Sequence, residues 1–210
     1  MSTSIDLFDA INTQRAIRRL KPDPVPDEMI DKLLSSAVKA PTGGGKQNWS
    51  FIVIKDSDMK RKIGDLYLKE RGTAGPQGFP TGNDMTPQQR RIYEGAQYLE
   101  DHIYEVPVFI IACIKLSSPV TDVTAGASIY PAVQNILLAA RGLGLGSVLT
   151  TRQKRFEKNV KDLLGIPDDV ETAALLPIGF PADGVEYGPT TRKPLSEVAF
   201  QDTWGKSWTN

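Results

Sequence analysis

Ala40-Pro41-Thr42-Gly43-Gly44-Gly45-Lys46-Gln47-Asn48-Trp49 decides the fold class, through what lies on either side of it. Upstream, Met29, Ile30, Leu33, Leu34, Ala37 and Val38 recur at helical spacing, with Asp27 and Glu28 suited to the positive end of the helix dipole. That helix stops at Pro41. Downstream, Trp49-Ser-Phe-Ile-Val-Ile reads as a strand. The loop therefore leaves a helix and enters a strand, whereas a phosphate-binding loop does the reverse. Its lysine would also need a following Ser or Thr for magnesium, and Gln47 follows Lys46. Gly142-Leu-Gly-Leu-Gly closes a helix instead of opening one, so it is no dinucleotide fingerprint. What the glycines at 43–45 do offer is backbone that can approach a flat ligand without Cβ atoms in the way.

Working outward, Ile5, Leu7, Phe8 and Ile11 predict a short amphipathic helix ending near Arg15-Ala-Ile-Arg-Arg. Pro22, Pro24 and Pro26 impose an extended connector. Helices are expected over 57–70, 86–103, 124–142 and 154–164, with Ile129, Val133, Ile136, Leu137 and Ala140 on one face of the longest. Strands are expected near 106–114, as a short strand after the glycine-terminated helix within 142–151, and at Ala173-Ala-Leu-Leu-Pro-Ile-Gly. Residues 72–87 form a Gly- and Pro-rich loop holding Phe79, either a substrate lid or a surface loop. The order is irregular, with no repeat and no dividing linker. We expect one domain over 1–210, an α+β sandwich around a mixed central sheet flanked by helices.

The 25 basic and 25 acidic side chains balance, which speaks against nucleic acid or an anionic membrane as partner. No run approaches the ~18 apolar residues of a membrane span. The start, Met1-Ser-Thr-Ser-Ile-Asp, lacks a secretory pattern, and a cytoplasmic location is expected. Cys113, the only cysteine, sits in an apolar run and reads as a buried structural thiol. His102, the only histidine, reads as a surface residue, and no metal site is expected.

Arg15 and Arg18 lie three apart at a helix exit, and Arg192-Lys193 sits far away in the chain. Guanidinium groups bind phosphate bidentately, yet spacing alone cannot bring these together. The motifs in order do more. Arg15-Ala-Ile-Arg-Arg-Leu, Ala40-Pro-Thr-Gly-Gly-Gly-Lys-Gln-Asn-Trp, Pro131-Ala-Val-Gln-Asn-Ile through Gly146-Ser, Leu176-Pro-Ile-Gly-Phe-Pro and Arg192-Lys-Pro-Leu-Ser-Glu-Val resemble the FMN-dependent nitroreductase family over nearly the whole chain.

That resemblance implies a homodimer with FMN at the interface. Arg15, Ala16, Ile17 and Arg18 would hold the phosphate and ribityl chain, Arg192 would close on the phosphate, and Lys193 would help. Pro41, Thr42 and Gly43 would reach the flavin of the other subunit, with Gln47 as a supporting polar group. Leu149, Thr150 and Thr151 would line the isoalloxazine, a backbone N–H near its N5 atom. The C-terminal segment, residues 185–210 with Trp204 and Trp208, would wrap the second subunit. The chain departs from the pattern at Ala16 (usually Ser), Gly45 (often Asn), Asn48 (often Pro) and Thr190 (basic in some members).

The implied activity is hydride transfer from NADH or NADPH, then reduction of a nitroaromatic, quinone or similar small-molecule acceptor at the same face, in ping-pong order. The cofactor carries the chemistry, so no catalytic side chain is assigned. The alternatives are a relative with other flavin chemistry, reductive dehalogenation or flavin cleavage, and a non-catalytic flavin-binding or storage protein.

Overall fold

The computed structural model describes residues 5–69, 84–116 and 122–208. Four strands, β1 (Trp49–Ile54), β2 (Val108–Lys115), β3 (Gly146–Ser147) and β4 (Val170–Gly179), form a sheet ordered β1-β2-β4-β3. The α-helices among the described residues are α1 (Leu7–Thr13), α2 (Asp27–Ala37), α3 (Ser57–Leu68), α4 (Pro87–Asp101), α5 (Asp122–Gly142), α6 (Glu157–Leu164) and α7 (Leu195–Val198). The α+β class stands. The sheet itself differs from the expected mixed one, because every pairing among the described residues is antiparallel. The reason lies in β2 and β4, which are covered on both faces. They read as unbroken apolar runs, a pattern more usual in parallel sheets.

Alternate residues of β2 serve opposite layers, as the two-residue strand period dictates. Ile110, Ala112 and Ile114 pack with Leu33 of α2 and with Ile129, Val133 and Ile136 of α5. Phe109, Ile111 and Cys113 pack with Ile63 and Tyr67 of α3, Leu99 of α4 and Val160 of α6. Each is almost wholly buried, so trimming a large one to Ala would cost about 2–5 kcal/mol. The five residues expected on the inner face of α5 are all buried. Val123–Gly142 is long and apolar enough to span a bilayer by length and composition, an overlap missed by counting unbroken apolar runs.

Local chemistry sets the helix ends. Thr86 and Gln89 exchange side-chain and backbone hydrogen bonds at the start of α4, and Pro87 supplies a preset φ. After α5, Gly144 adopts φ 75° and the Leu145 N–H returns to the Ala140 carbonyl at 2.8 Å, turning the chain into β3.

Among the described residues, α1 and the C-terminal tail carry large apolar side chains that are exposed. α1 forms as expected, with the Asp6 carboxylate accepting from the Phe8 N–H at 2.8 Å, but it buries only Ala10. Leu7, Phe8 and Ile11 remain exposed. In the tail, Phe200 bridges Ser207 and its ring meets Trp204 at 4.8 Å, yet Trp204 is 91% exposed and Trp208 48%. The expected loop at 72–87, with Phe79, lies outside the described residues up to residue 83.

Candidate functional site

The segment carrying Arg15 and Arg18 lies along the β3 edge of the sheet. Ile17 is buried and donates its N–H to the Ser147 carbonyl at 2.9 Å. Gly146 permits this approach, because a Cβ there would stand 2.8 Å from Ile17 and 2.7 Å from Leu20 side-chain atoms. On its other side the segment is lined by residues 180–188. Lys21 donates to Phe180 at 2.8 Å, Ala182 to Arg19 at 3.0 Å, and Gly188 to Thr13 at 2.7 Å. The inward turn of Ile17 leaves Arg15 and Ala16 exposed.

The two arginines separate in role. Arg15 is exposed and its guanidinium donates to the Glu186 carbonyl. Arg18 turns inward towards Gly95 on α4, and burial holds its guanidinium below the ordinary range, with Tyr67 and Arg152 close enough to act on it. Leu149, Thr150 and Thr151 follow β3 on the same edge. Thr150 exchanges backbone hydrogen bonds with Leu175 at 3.0 and 2.9 Å, while Leu149 and Thr151 are exposed. Arg192 is exposed and donates to the carbonyl of Thr191 at 2.9 Å. Lys193 lies 4.0 Å from Glu197. Among the described residues, neither is hydrogen-bonded to Arg15.

The glycine loop is elsewhere. Thr42 organises it: its carbonyl accepts from the Gly45 N–H at 3.0 Å and its hydroxyl from the Gln47 N–H at 3.0 Å. Gly44, Gly45 and Gln47 all take positive φ, at 63°, 66° and 48°. The Gly43 N–H donates to the Ser128 hydroxyl at 3.1 Å, and the Asn48 amide to the Lys115 carbonyl at 2.7 Å. Pro41, Gly43 and Gln47 are exposed. A cavity of about 250 Å³ opens here, lined by Gly43, Gly44, Lys46, Asn48, Lys115 and Ser128 among others.

The loop leads into β1 and the arginine segment flanks β3, which are opposite edges of the sheet. Three strand spacings of ~4.8 Å separate them by roughly 14 Å. They are also offset along the strands. Trp49 pairs with Ile114, whereas Thr150 pairs with Leu175, which stands across from Ile111. One chain thus brings Arg15, Arg18 and Leu149–Thr151 to one corner and Pro41–Gln47 to another.

Sequence reasoning passed over Tyr67, Glu100 and Arg152: next to Thr150, Arg152 pairs with Glu100 and stands over the Tyr67 ring. The one available signal was that Arg152 follows Thr151 directly. Cys113 is 1% exposed, and burial, with Glu157 nearby, pushes its thiol up to about 11, as suits a structural residue. His102 pairs with Glu105 at 2.9 Å and stacks on Tyr98 at the surface. No His, Cys, Asp or Glu grouping fit for a metal occurs among the described residues.

Residues 11–180 match the model of the nitroreductase family. The chain belongs to the nitroreductase family. Members are flavin-dependent oxidoreductases. The chain is 30% identical over 195 residues to the iodotyrosine deiodinase of Danio rerio, covering 91% of this chain and 65% of that one. It is 30% identical over 184 residues to the "Putative NADH dehydrogenase/NAD(P)H nitroreductase" of Methanothermobacter thermautotrophicus, covering 86% of this chain and 80% of that one. It therefore spans just under two thirds of the deiodinase. Among solved structures, an oxidized iodotyrosine deiodinase bound to FMN and 3-iodo-L-tyrosine aligns with TM-score 0.69 at 24% identity, over 94% of this chain and 99% of that one. A BluB-like flavoprotein from Clostridium difficile 630 aligns with TM-score 0.71 at 24% identity, over 95% of this chain and 100% of that one. These likenesses show the same fold.

Proposed function

We propose that the chain is an FMN-dependent NAD(P)H oxidoreductase that works as a homodimer, each flavin held between the arginine edge of one subunit and the glycine loop of the other. The observation that carries this reading is the placement of the two halves at opposite sheet edges. Each half has the chemistry for one part of the cofactor, and neither can reach the other within a chain. A two-fold pair closes both sites at once, because whatever one subunit lends it also receives. The exposed face of α1 and the exposed Trp204 and Trp208 are apolar surface available for that pairing.

The donor sets fit FMN. Arg15 projects charge into solvent on the β3 side and the Arg192 guanidinium is exposed, so both are open to charge-assisted hydrogen bonds with a phosphate. Thr150 and Thr151 present a turn pinned by Leu175, with Leu149 as apolar surface for a flat ring. Gly43 and Gly44 offer backbone without side chains to the partner's flavin, and Ala16 leaves the phosphate side to the guanidiniums. Lys193 and Gln47 play lesser polar parts. When bound, FMN would supply two-electron chemistry, taking hydride equivalents from NAD(P)H and delivering them to a nitroaromatic, quinone or similar acceptor. The protein's part is to bind, orient and exclude water.

A second reading, reductive dehalogenation, draws support from the similarity to iodotyrosine deiodinases over 91–93% of this chain. The test is an absorbance spectrum of the purified protein and an anaerobic titration with NADH and NADPH, followed by turnover with nitroaromatic, quinone and halogenated acceptors. A protein that gains no flavin absorbance on addition of FMN contradicts the reading. Turnover confined to halogenated acceptors selects the second one.

A further inference from the structure

A charged cluster lies beneath the Leu149–Thr151 turn. Glu100 of α4 is 5% exposed, a rare position for a carboxylate unless it is paired. Its partner is Arg152, one residue beyond the turn, whose side chain is 21% exposed. The Arg152 guanidinium stands over the Tyr67 ring, 5.1 Å from its centre. Tyr67 is itself 5% exposed and its hydroxyl is hydrogen-bonded to the Thr150 side chain. The Arg152 backbone N–H reaches the Thr150 hydroxyl at a long 3.5 Å. Arg18 is close enough to Tyr67 and Arg152 to act on both. Three elements that share no local pattern thus converge on one turn, and together they hold two guanidinium charges against one carboxylate.

We propose that Tyr67, Glu100 and Arg152 are positioning residues for the ring end of the flavin: Tyr67 fixes the Thr150 hydroxyl, Arg152 sets a positive charge under the turn, and Glu100 moderates it. This rests on the reading that the Thr150–Thr151 turn faces the isoalloxazine. A cation in a partly dry site acts more strongly than one in water, and it favours the state of the ring with more electron density. Removing the Glu100 charge leaves Arg152 uncompensated, so reduction becomes easier. Removing both charges restores the net charge of the wild-type cluster, with Arg18 still in place. The hydroxyl of Tyr67 has a separate task, because Tyr67→Phe keeps the ring under Arg152 and deletes only the bond to Thr150.

The experiment measures FMN affinity and the midpoint potential of FMN-loaded protein in wild type, Glu100→Gln, Glu100→Gln/Arg152→Met and Tyr67→Phe. Glu100→Gln should favour the reduced flavin about tenfold, an upward shift of about 30 mV for two electrons. The double variant should return to within about threefold of wild type, a reversal that a packing role would not produce. Tyr67→Phe, the variant least disturbing to the core, should weaken FMN binding by about fivefold. A Glu100→Gln potential that is unchanged or lowered, a double variant displaced further than the single, or unchanged FMN binding in Tyr67→Phe overturns the proposal. Wild-type protein that takes up no FMN overturns the flavin reading as well, before any variant is compared.

Discussion

The Ile17 N–H donates to the Ser147 carbonyl at 2.9 Å, fastening the arginine segment to the edge strand that leads into Leu149–Thr151. The contact is close because residue 146 is glycine. A Gly146→Ala side chain would lie 2.7–2.8 Å from atoms of Leu20 and Ile17. Overpacking of this kind costs about 1–3 kcal/mol. Thermal melts should show the loss, and an FMN titration should show weaker binding because Arg15 and Arg18 move with the segment. An unchanged melting temperature would mean that the segment yields without cost.

Arg15→Ala and Arg192→Ala should each weaken FMN binding about thirtyfold, the value of a charge-assisted hydrogen bond of roughly 2 kcal/mol. Fluorescence titration of the apoprotein measures this. If both variants bind like wild type, the phosphate lies elsewhere.

Glu157 gives a pH-dependent prediction. Burial pushes its carboxyl up, but the Lys154 ammonium at 2.7 Å and the Thr172 N–H and hydroxyl at 2.8 and 3.0 Å outweigh that and hold it below the usual carboxylate range. A depressed acid adds stability that is present above its unfolded pKa and lost as pH falls through the folded one. Glu157→Ala strands the fully buried Thr172 groups and should cost about 1–3 kcal/mol at neutral pH. The gap to wild type should narrow below the usual range of a free glutamate. A gap independent of pH would show that the carboxylate charge is not what Thr172 needs.

Turnover should be ping-pong, since donor and acceptor must use one flavin face in turn. Parallel double-reciprocal plots are expected, and intersecting ones would indicate a ternary complex.

How far the sequence could be read depended on whether a residue's neighbours are local. The inner face of α5 follows from Ile129, Val133 and Ile136 at helical spacing, and the strands β2 and β4 from their apolar runs. Strand direction did not follow, because double burial hides the alternation that marks an antiparallel sheet. Arg18 looked like a twin of Arg15, but α4 and Tyr67, distant in sequence, draw it inward. Glu100 sits in a polar-looking stretch beside Leu99, and nothing local shows that it meets Arg152. The glycine loop was legible as exposed backbone free of side chains. Its position across the sheet from the arginines comes from strand order alone.

The claim that each site draws on two chains is tested most directly by a mixed dimer. One chain carries Arg15→Ala and Arg192→Ala. The other carries Gly43→Trp, which places bulk on an exposed loop whose Cβ position is 3.6 Å from the Ser128 hydroxyl. Each variant alone should form dimers that hold little flavin. Combined and purified as a hetero-pair, they regenerate one intact site from the arginines of the second chain and the loop of the first. One tightly bound FMN per mixed dimer is expected, read from flavin absorbance against protein. A mixed dimer as empty as its parents would contradict it, because a site built within one chain would be broken in both.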